Sequence, residues 1–334
     1  MTLAAGAVVV AGGFQAQAAT APAGSSLNFV EVTSDITTDT RWENDTVYIL
    51  TKLICGSNNS TLTIEPGTIL RRINTTLSED NLQPGALIVE VGSQLIANGT
   101  PDDPIIFTSI DDDNVVGGNL TVPADFTVID GPDDAGADDT KDFGTDYGTL
   151  DYSPDGAQDD NGFVHYAQWG GVVILGDAYV SNGTEGLAGL PTAGDLQVSS
   201  GTLDDFTGTD RSVGQEYIEG IDPVNIPALA GKSVYGGVNP TNDAGLLRFV
   251  SIRYGGFEIG AANEINSLTT GGAGSGTYFE FVESTFNQDD GFEWFGGEFN
   301  TRFLFSLYNG DDSFDGDEGY QGEMQFMFTV MEDT

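Results

Sequence analysis

The sequence predicts an all-β protein: a right-handed parallel β-helix interrupted by two long Asp/Gly-rich loop insertions. Three observations support this prediction: segments that repeat at fixed offsets, a two-residue alternation of apolar and polar side chains, and a composition with 46 Gly and 12 Pro. Repeats of about 20 to 50 residues are typical of solenoids, in which each repeat buries its apolar face against the next. The Gly and Pro content favours strands and turns over helices.

Two pairs of segments define the repeat. Residues 62–70 match residues 87–95 at an offset of 25, and residues 281–293 match residues 303–315 at an offset of 22. If each offset is one coil of the solenoid, matched residues stack about 4.8 Å apart in ladders along the column. The predicted interior ladder consists of Leu62, Ile64, Leu87, Val89, Phe279, Phe281, Phe303, Phe305, Phe326 and Phe328.

The elements follow a simple order along the chain. Residues 1–18 have the apolar run and small residues of a secretory signal peptide, and residues 19–28 are a predicted flexible leader. A single β-helix domain is predicted over residues 29–334. Its insertions, residues 111–168 and 181–242, have little strand pattern, apart from residues 233–235. The last apolar strand has no polar cap, so we expect the natural chain to continue beyond Thr334.

The charge balance is extreme, with 52 acidic residues against 10 basic ones and a net charge of −42. Nucleic acid and anionic membranes are therefore excluded as expected partners, because both need a basic surface. Two explanations remain open for the acidity: a solvated surface suited to a salty medium, and specific binding of divalent cations, with Ca²⁺ as the expected ion. The leader predicts a secreted or outer-cell-surface location, and no later segment is apolar enough for a transmembrane span. Cys55 is alone, which indicates a buried apolar role and no internal disulfide.

The candidate metal ligands lie in the late coils. Ionised carboxylates stacked one coil apart repel by about 1 kcal/mol in water, and a hard divalent ion relieves that repulsion. Plain hydrated turns, or a carboxylate pair split in pKa for hydrolysis, remain alternatives. The predicted Ca²⁺ ligands are Asp289, Asp290, Asp311, Asp312, Asp315, Asp317 and Glu318, and the first four are also the candidate catalytic residues.

Trp294 and Trp169 are the candidate carbohydrate-binding residues. Trp294 follows the first acidic pair, and an exposed indole beside carboxylates can stack on a sugar ring while the acids bind its hydroxyls. The alternative is that both rings fill the core.

Several motifs together resemble one group of proteins. They include Trp-Gly-Gly-Val-Val-Ile-Leu-Gly at 169–176, Leu-Arg-Phe-Val-Ser-Ile-Arg-Tyr-Gly-Gly at 247–256 and Asp-Asp-Gly-Phe-Glu-Trp-Phe-Gly-Gly at 289–297. These segments resemble secreted bacterial right-handed parallel β-helix proteins of the pectin-lyase-like type, most of them without an assigned activity or described as lipoproteins. The resemblance implies export and a pectin-lyase-like column, but no particular activity.

Polysaccharide chemistry of the wider pectin-lyase-like group finds little support in the residues. A lyase needs a base, yet only Arg248, Arg253 and Arg302 lie on the late coils, and the hydrolase pattern needs a His and an Arg-x-Lys element that do not accompany the acidic pairs. We therefore expect a non-enzymatic adhesive, glycan-binding or scaffold module with calcium-stabilised turns. Its expected partners are a polysaccharide or cell-surface glycan and divalent cations. The alternative is a polysaccharide lyase or hydrolase that uses the late carboxylates.

Overall fold

A computed structural model describes residues 28–72, 85–109, 112, 115, 169–181, 215–218, 221, 231–260 and 263–331. All regular secondary structure in these residues is β-strand. An 11-stranded sheet contains β1 (Asn28–Val32), β2 (Thr40–Trp42), β3 (Thr46–Leu50), β5 (Thr61–Ile64), β6 (Ile69–Arg72), β8 (Gln94–Asn98), β9 (Ile105–Ser109), β13 (Gly245–Arg253), β17 (Tyr278–Thr285), β19 (Asn300–Leu307) and β21 (Met324–Val330). A 6-stranded sheet contains β4 (Ile54–Gly56), β7 (Ala86–Val89), β10 (Gly171–Leu175), β16 (Leu268–Gly271), β18 (Phe292–Phe295) and β20 (Asp315–Asp317). Two antiparallel pairs join β11 (Glu216–Tyr217) to β12 (Val234–Tyr235), and β14 (Glu258–Gly260) to β15 (Asn263–Glu264).

The strands of the two large sheets form a three-faced column in which all pairings are parallel. The 6-stranded sheet is one face, with order β20-β18-β16-β10-β7-β4. The second face runs through β2, β5 and β8, and the third through β3, β6 and β9. The long strand β13 joins these two faces, because its first half pairs with β8 and its second half with β9. This is the predicted parallel β-helix.

The two sequence repeats have different structural meanings. The offset of 22 is one coil, since Glu280 pairs with Arg302 and Val282 with Leu304. The offset of 25 is not a coil, because Leu62 pairs with Leu95 in one sheet. Leu87 instead pairs with Ile54 and Val172 in the other sheet. The prediction that Leu62 stacks on Leu87 was therefore wrong.

The two early segments look alike because they make the same type of turn at two different corners of the column, between β5 and β6 and between β7 and β8. Gly67 and Gly92 both have a positive φ, at 82° and 86°. In each corner a backbone N–H bonds the carbonyl three residues earlier, from Thr68 to Glu65 and from Ser93 to Glu90. The matching residues thus mark a shared turn type on different faces of the column.

The interior of the column is apolar, as predicted for half of the proposed ladder. Leu62, Ile64, Leu87, Val89 and Phe279 are buried in the central cluster. The five other predicted core residues are not in the interior, so that part of the prediction was wrong. Phe281, Phe303 and Phe305 are half-buried, whereas Phe326 and Phe328 are exposed on the last strand.

Four of the aromatic residues form a ladder at the corner between the second and third faces. Phe249, Phe281, Phe303 and Phe326 all have left-handed backbone, with φ between 47° and 58°. Their rings stack with centroids 4.6, 4.5 and 4.9 Å apart. A left-handed residue turns its own side chain away from the strand alternation, which explains why these rings lie outside the core. We call this set the corner ladder.

The outer side of the 6-stranded sheet carries a second apolar cluster, which we call the outer apolar cluster. Cys55, Ile88 and Val173 project from it and pack with Ile218 and Tyr235. These last two belong to the part of the chain predicted as the second insertion, where β12 lies at the expected position.

Some predictions lie outside the described residues. These are the signal peptide, nearly all of the leader, almost all of the first insertion and most of the second insertion. In the part of the chain that the structure describes, no helix is long and apolar enough to span a bilayer.

Candidate metal centre

The acidic residues lie at the corner that leads into the 6-stranded sheet. Two successive coils make this corner, between β17 and β18 and again between β19 and β20. The coils are joined by backbone hydrogen bonds, from Gly310 to Asn287 and from Gly291 to Asp312, both 2.9 Å long. Asp289 and Asp290 therefore stack over Asp311 and Asp312, as the offset of 22 predicts.

Five carboxylates converge at this corner in two overlapping groups. Oxygens of Asp289, Asp290 and Asp311 lie within 4.8 Å of one another, and so do oxygens of Asp290, Glu293 and Asp315. Asp290 belongs to both groups and is only 7% exposed. We call these five residues the acidic corner.

Three of the predicted ligands lie outside both groups. Asp312 contributes its backbone N–H to Asp290 Oδ1, at 2.8 Å. Asp317 Oδ1 accepts the backbone N–H of Glu318 at 2.8 Å. The structure thus brings together Asp289, Asp290, Asp311 and Asp315 of the predicted set, but not these three side chains.

Sequence reasoning missed two residues of the site. Glu293 projects outward from β18 and pairs in register with Asp315, so the same offset of 22 contained its signal. Asn266, one coil earlier, accepts the backbone N–H of Asp290 at 2.9 Å and donates its amide to Glu293 Oε2. Three coils therefore position the acidic corner.

Burial raises the pKa of Asp290 to about 7, well above the ordinary carboxyl value. The N–H of Asp312 opposes this shift, whereas the negative charges of Asp289, Asp315 and Asp312 add to it. No described Lys or Arg forms an ion pair with Asp290, Asp311 or Asp315. A bound cation or a retained proton would relieve the repulsion at Asp290.

The donor set indicates which ion fits. All five side chains offer carboxylate oxygens, which hard cations such as Ca²⁺ and Mg²⁺ prefer. Ca²⁺ tolerates irregular geometry and six to eight oxygen ligands, whereas Mg²⁺ demands a near-ideal octahedron of about 2.1 Å. Two crowded groups that share one carboxylate fit Ca²⁺ better.

The two tryptophans are not available to a sugar. Trp294 is 0% exposed, makes an edge contact with Phe299 and donates Nε1–H to Met324 Sδ at 3.1 Å. Trp169 is 1% exposed and donates Nε1–H to the carbonyl of Arg253 at 2.6 Å. The carbohydrate-stacking prediction for both residues was therefore wrong, because their ring faces are packed in the core.

The late arginines serve as ion-pair partners. Arg302 Nη2 lies 2.7 Å and Arg248 Nε 3.2 Å from the two oxygens of Glu280. Arg253 lies 3.8 Å from both Asp112 and Glu283. Each guanidinium therefore faces a carboxylate, and an arginine side chain offers hydrogen-bond donors but no acceptor atom.

The three-faced column with its acidic corner defines a parallel β-helix solenoid. The sequence matches the family model described as a pectate-lyase-like β-helix domain over residues 34–167 and 214–334, which is most of the chain. The chain belongs to this family. No curated protein and no solved structure matches the sequence.

Proposed function

We propose that this protein is a non-enzymatic β-helix module that works outside the cell and binds divalent cations, Ca²⁺ foremost, at the acidic corner. The observation that supports the proposal is the position of Asp290. Its carboxylate is almost fully buried and shared between two groups of carboxylates. Such an arrangement is unfavourable without a positive charge and favourable with one.

Cation binding would stabilise the late coils in particular. Asp290 and Asp315 come from two successive coils, so an ion held by their carboxylates would tie these coils together. Asn266 links the preceding coil through its hydrogen bond with the backbone of Asp290. A ligand that binds only the folded state raises stability by about 2.7 kcal/mol at a hundredfold excess over its Kd. The column would then be a rigid surface for adhesion, glycan contact or scaffolding in calcium-rich surroundings.

Thermal melting at constant ionic strength tests the proposal. We expect Ca²⁺ to raise Tm relative to chelator in the wild-type protein, and Mg²⁺ to raise it less. The variant Asp290→Asn removes the shared carboxylate, so its Tm without Ca²⁺ should rise and its response to Ca²⁺ should vanish. Equal melts with Ca²⁺ and chelator in the wild-type protein would leave only a solvated acidic surface.

A second candidate function is polysaccharide hydrolysis, which the raised pKa of Asp290 favours. A carboxyl group with a pKa of about 7 can act as a general acid beside an ionised partner such as Glu293 or Asp315. Incubation with acidic polysaccharides separates the two functions. New reducing or unsaturated ends that disappear in both Asp289→Asn and Asp290→Asn would establish an enzyme. No cleavage of any polysaccharide, together with a Ca²⁺-dependent Tm, supports the binding module.

A further inference from the structure

A short segment of the chain lies across the outer side of the 6-stranded sheet. Residues 231–236, which we call the strap, contain β12. The strap begins at Gly231 and ends at Gly236, and both glycines have a positive φ. Tyr235 of the strap is 2% exposed and belongs to the outer apolar cluster. Cys55 belongs to the same cluster and is 0% exposed.

The two ends of the strap are held in different ways. After the C-terminal end of the strap, backbone hydrogen bonds fix the chain to the column, from Gly237 to Ala178 at 2.9 Å and from Asn239 to Asp177 at 2.8 Å. At the other end, Lys232 Nζ contacts Asp35 Oδ2 on the first coil. The strap is thus held to the column by backbone bonds at one end and by a side-chain ion pair at the other. Between these ends it pairs with β11, and Ser233 donates its hydroxyl to the carbonyl of Ile221.

The ion pair lies directly beside the single cysteine. The other oxygen of Asp35 accepts the backbone N–H of Cys55 at 3.2 Å. Burial raises the pKa of Cys55 and the pKa of Glu90, and the nearby positive charge of Lys232 opposes both shifts. The side chains of Lys232 and Asp35 are 31% and 27% exposed, which leaves their attraction open to screening by salt.

We propose that the Lys232–Asp35 pair is a salt-sensitive latch that closes the strap over the outer apolar cluster and over Cys55. When the pair breaks, the strap moves together with its partner strand β11 about the glycines at 236 and 237, and the cluster becomes accessible to solvent. This inference is independent of cation binding at the acidic corner.

Thiol labelling measures the opening directly, because Cys55 is the only cysteine in the chain. The full chain is treated with excess N-ethylmaleimide, without added calcium, and the labelled fraction is read by intact mass. Local opening sets the rate of labelling when it is the only route to a buried group. We expect Lys232→Met to label about fivefold faster than wild type, the factor that about 1 kcal/mol of ion pairing gives. Lys232→Arg keeps the charge and should label within about twofold of wild type.

A matched control breaks a different ion pair. Arg41 pairs with Glu65 elsewhere on the column, so Arg41→Met should leave the labelling rate unchanged. Equal rates in wild type, Lys232→Met and Arg41→Met would overturn the proposal.

A salt titration of the wild-type protein covers the case in which a variant fails to fold. General screening of a chain with a net charge of −42 tightens the fold and slows labelling, whereas screening of the latch opens the strap and accelerates it. Acceleration by sodium chloride supports the latch. Slower or unchanged labelling with added salt contradicts it.

Discussion

Asp312 donates its backbone N–H to the carboxylate of Asp290, one coil earlier, over 2.8 Å. The same coil that supplies this favourable donor also brings the like charge of Asp315 within 4.8 Å of Asp290. Stacking therefore fixes the carboxylate and crowds it at once. The acidic corner is a place where the regularity of the solenoid itself creates the demand for a cation or a proton.

Without divalent cations, stability should depend on pH through Asp290. Its pKa of about 7 in the folded state lies above the unfolded value, so its contribution is fully present below about pH 4 and is lost as the pH rises through 7. The upper limit is about 4 kcal/mol. Denaturant unfolding in chelator at pH 5 to 8 should show falling stability for wild type. The fall should be much smaller in Asp290→Asn, and an equal fall in both proteins would contradict the assignment.

Glu293 should be a cation ligand that Asp317 is not. Both residues lie on the 6-stranded sheet, but only Glu293 belongs to one of the two carboxylate groups. We expect Glu293→Gln to weaken Ca²⁺ binding by at least about tenfold, because it removes one charge from the ligand set. Asp317→Asn removes the same charge from the protein and should retain wild-type affinity. Isothermal titration calorimetry measures both, and similar losses would show that only net charge matters.

The left-handed backbone of the corner ladder predicts an unusual order of stability at Phe281. Removing this ring deletes stacking on Phe249 and Phe303, so Phe281→Ala should cost about 2 kcal/mol. Phe281→Gly should be no less stable than Phe281→Ala, since glycine adopts a φ of 55° without the penalty of a Cβ. At the neighbouring strand residue Val282, the ordinary order should hold, with Ala about 1 kcal/mol more stable than Gly. Urea unfolding gives all four values, and a Gly variant weaker than the Ala variant at Phe281 would refute the backbone argument.

All three tryptophans should report a dry environment. Trp42, Trp169 and Trp294 are between 0% and 4% exposed. Their fluorescence should be blue-shifted, iodide should quench it weakly, and added polysaccharides should leave it unchanged. Denaturation in urea provides the control, because it must restore full quenching. Strong quenching in the native state would restore the sugar-stacking hypothesis.

The fold could be predicted because the late coils follow one another without interruption. Residues 278–322 contain two consecutive coils, so the offset of 22 is visible directly in the sequence. The repeat in the early coils was misassigned because each coil has several corners, and different corners have similar turn residues. Glu65 to Thr68 and Glu90 to Ser93 make the same turn on different faces, and sequence similarity alone does not distinguish a corner from a full coil.

The candidate site was predictable where charge and offset coincide. The offset of 22 matches Asp289 with Asp311 and Asp290 with Asp312, so both coils are acidic there. Asn266, in contrast, is a neutral amide whose role depends on hydrogen bonds that only the folded column creates. The burial of Trp294 follows from strand alternation, because Glu293 points outward and its neighbours therefore point inward. The outward position of Phe281 did not follow, since it depends on a left-handed residue that breaks the alternation.

The corner ladder keeps its rings in contact although the coils differ in length. From Phe249 to Phe281 the chain uses 32 residues, but from Phe281 to Phe303 only 22, and both pairs stack within 4.6 Å. The stacked rings thus keep successive coils in register, and any added residues must form a loop between one phenylalanine and the next. A solenoid built in this way can gain or lose surface loops during evolution without any slip between its strands.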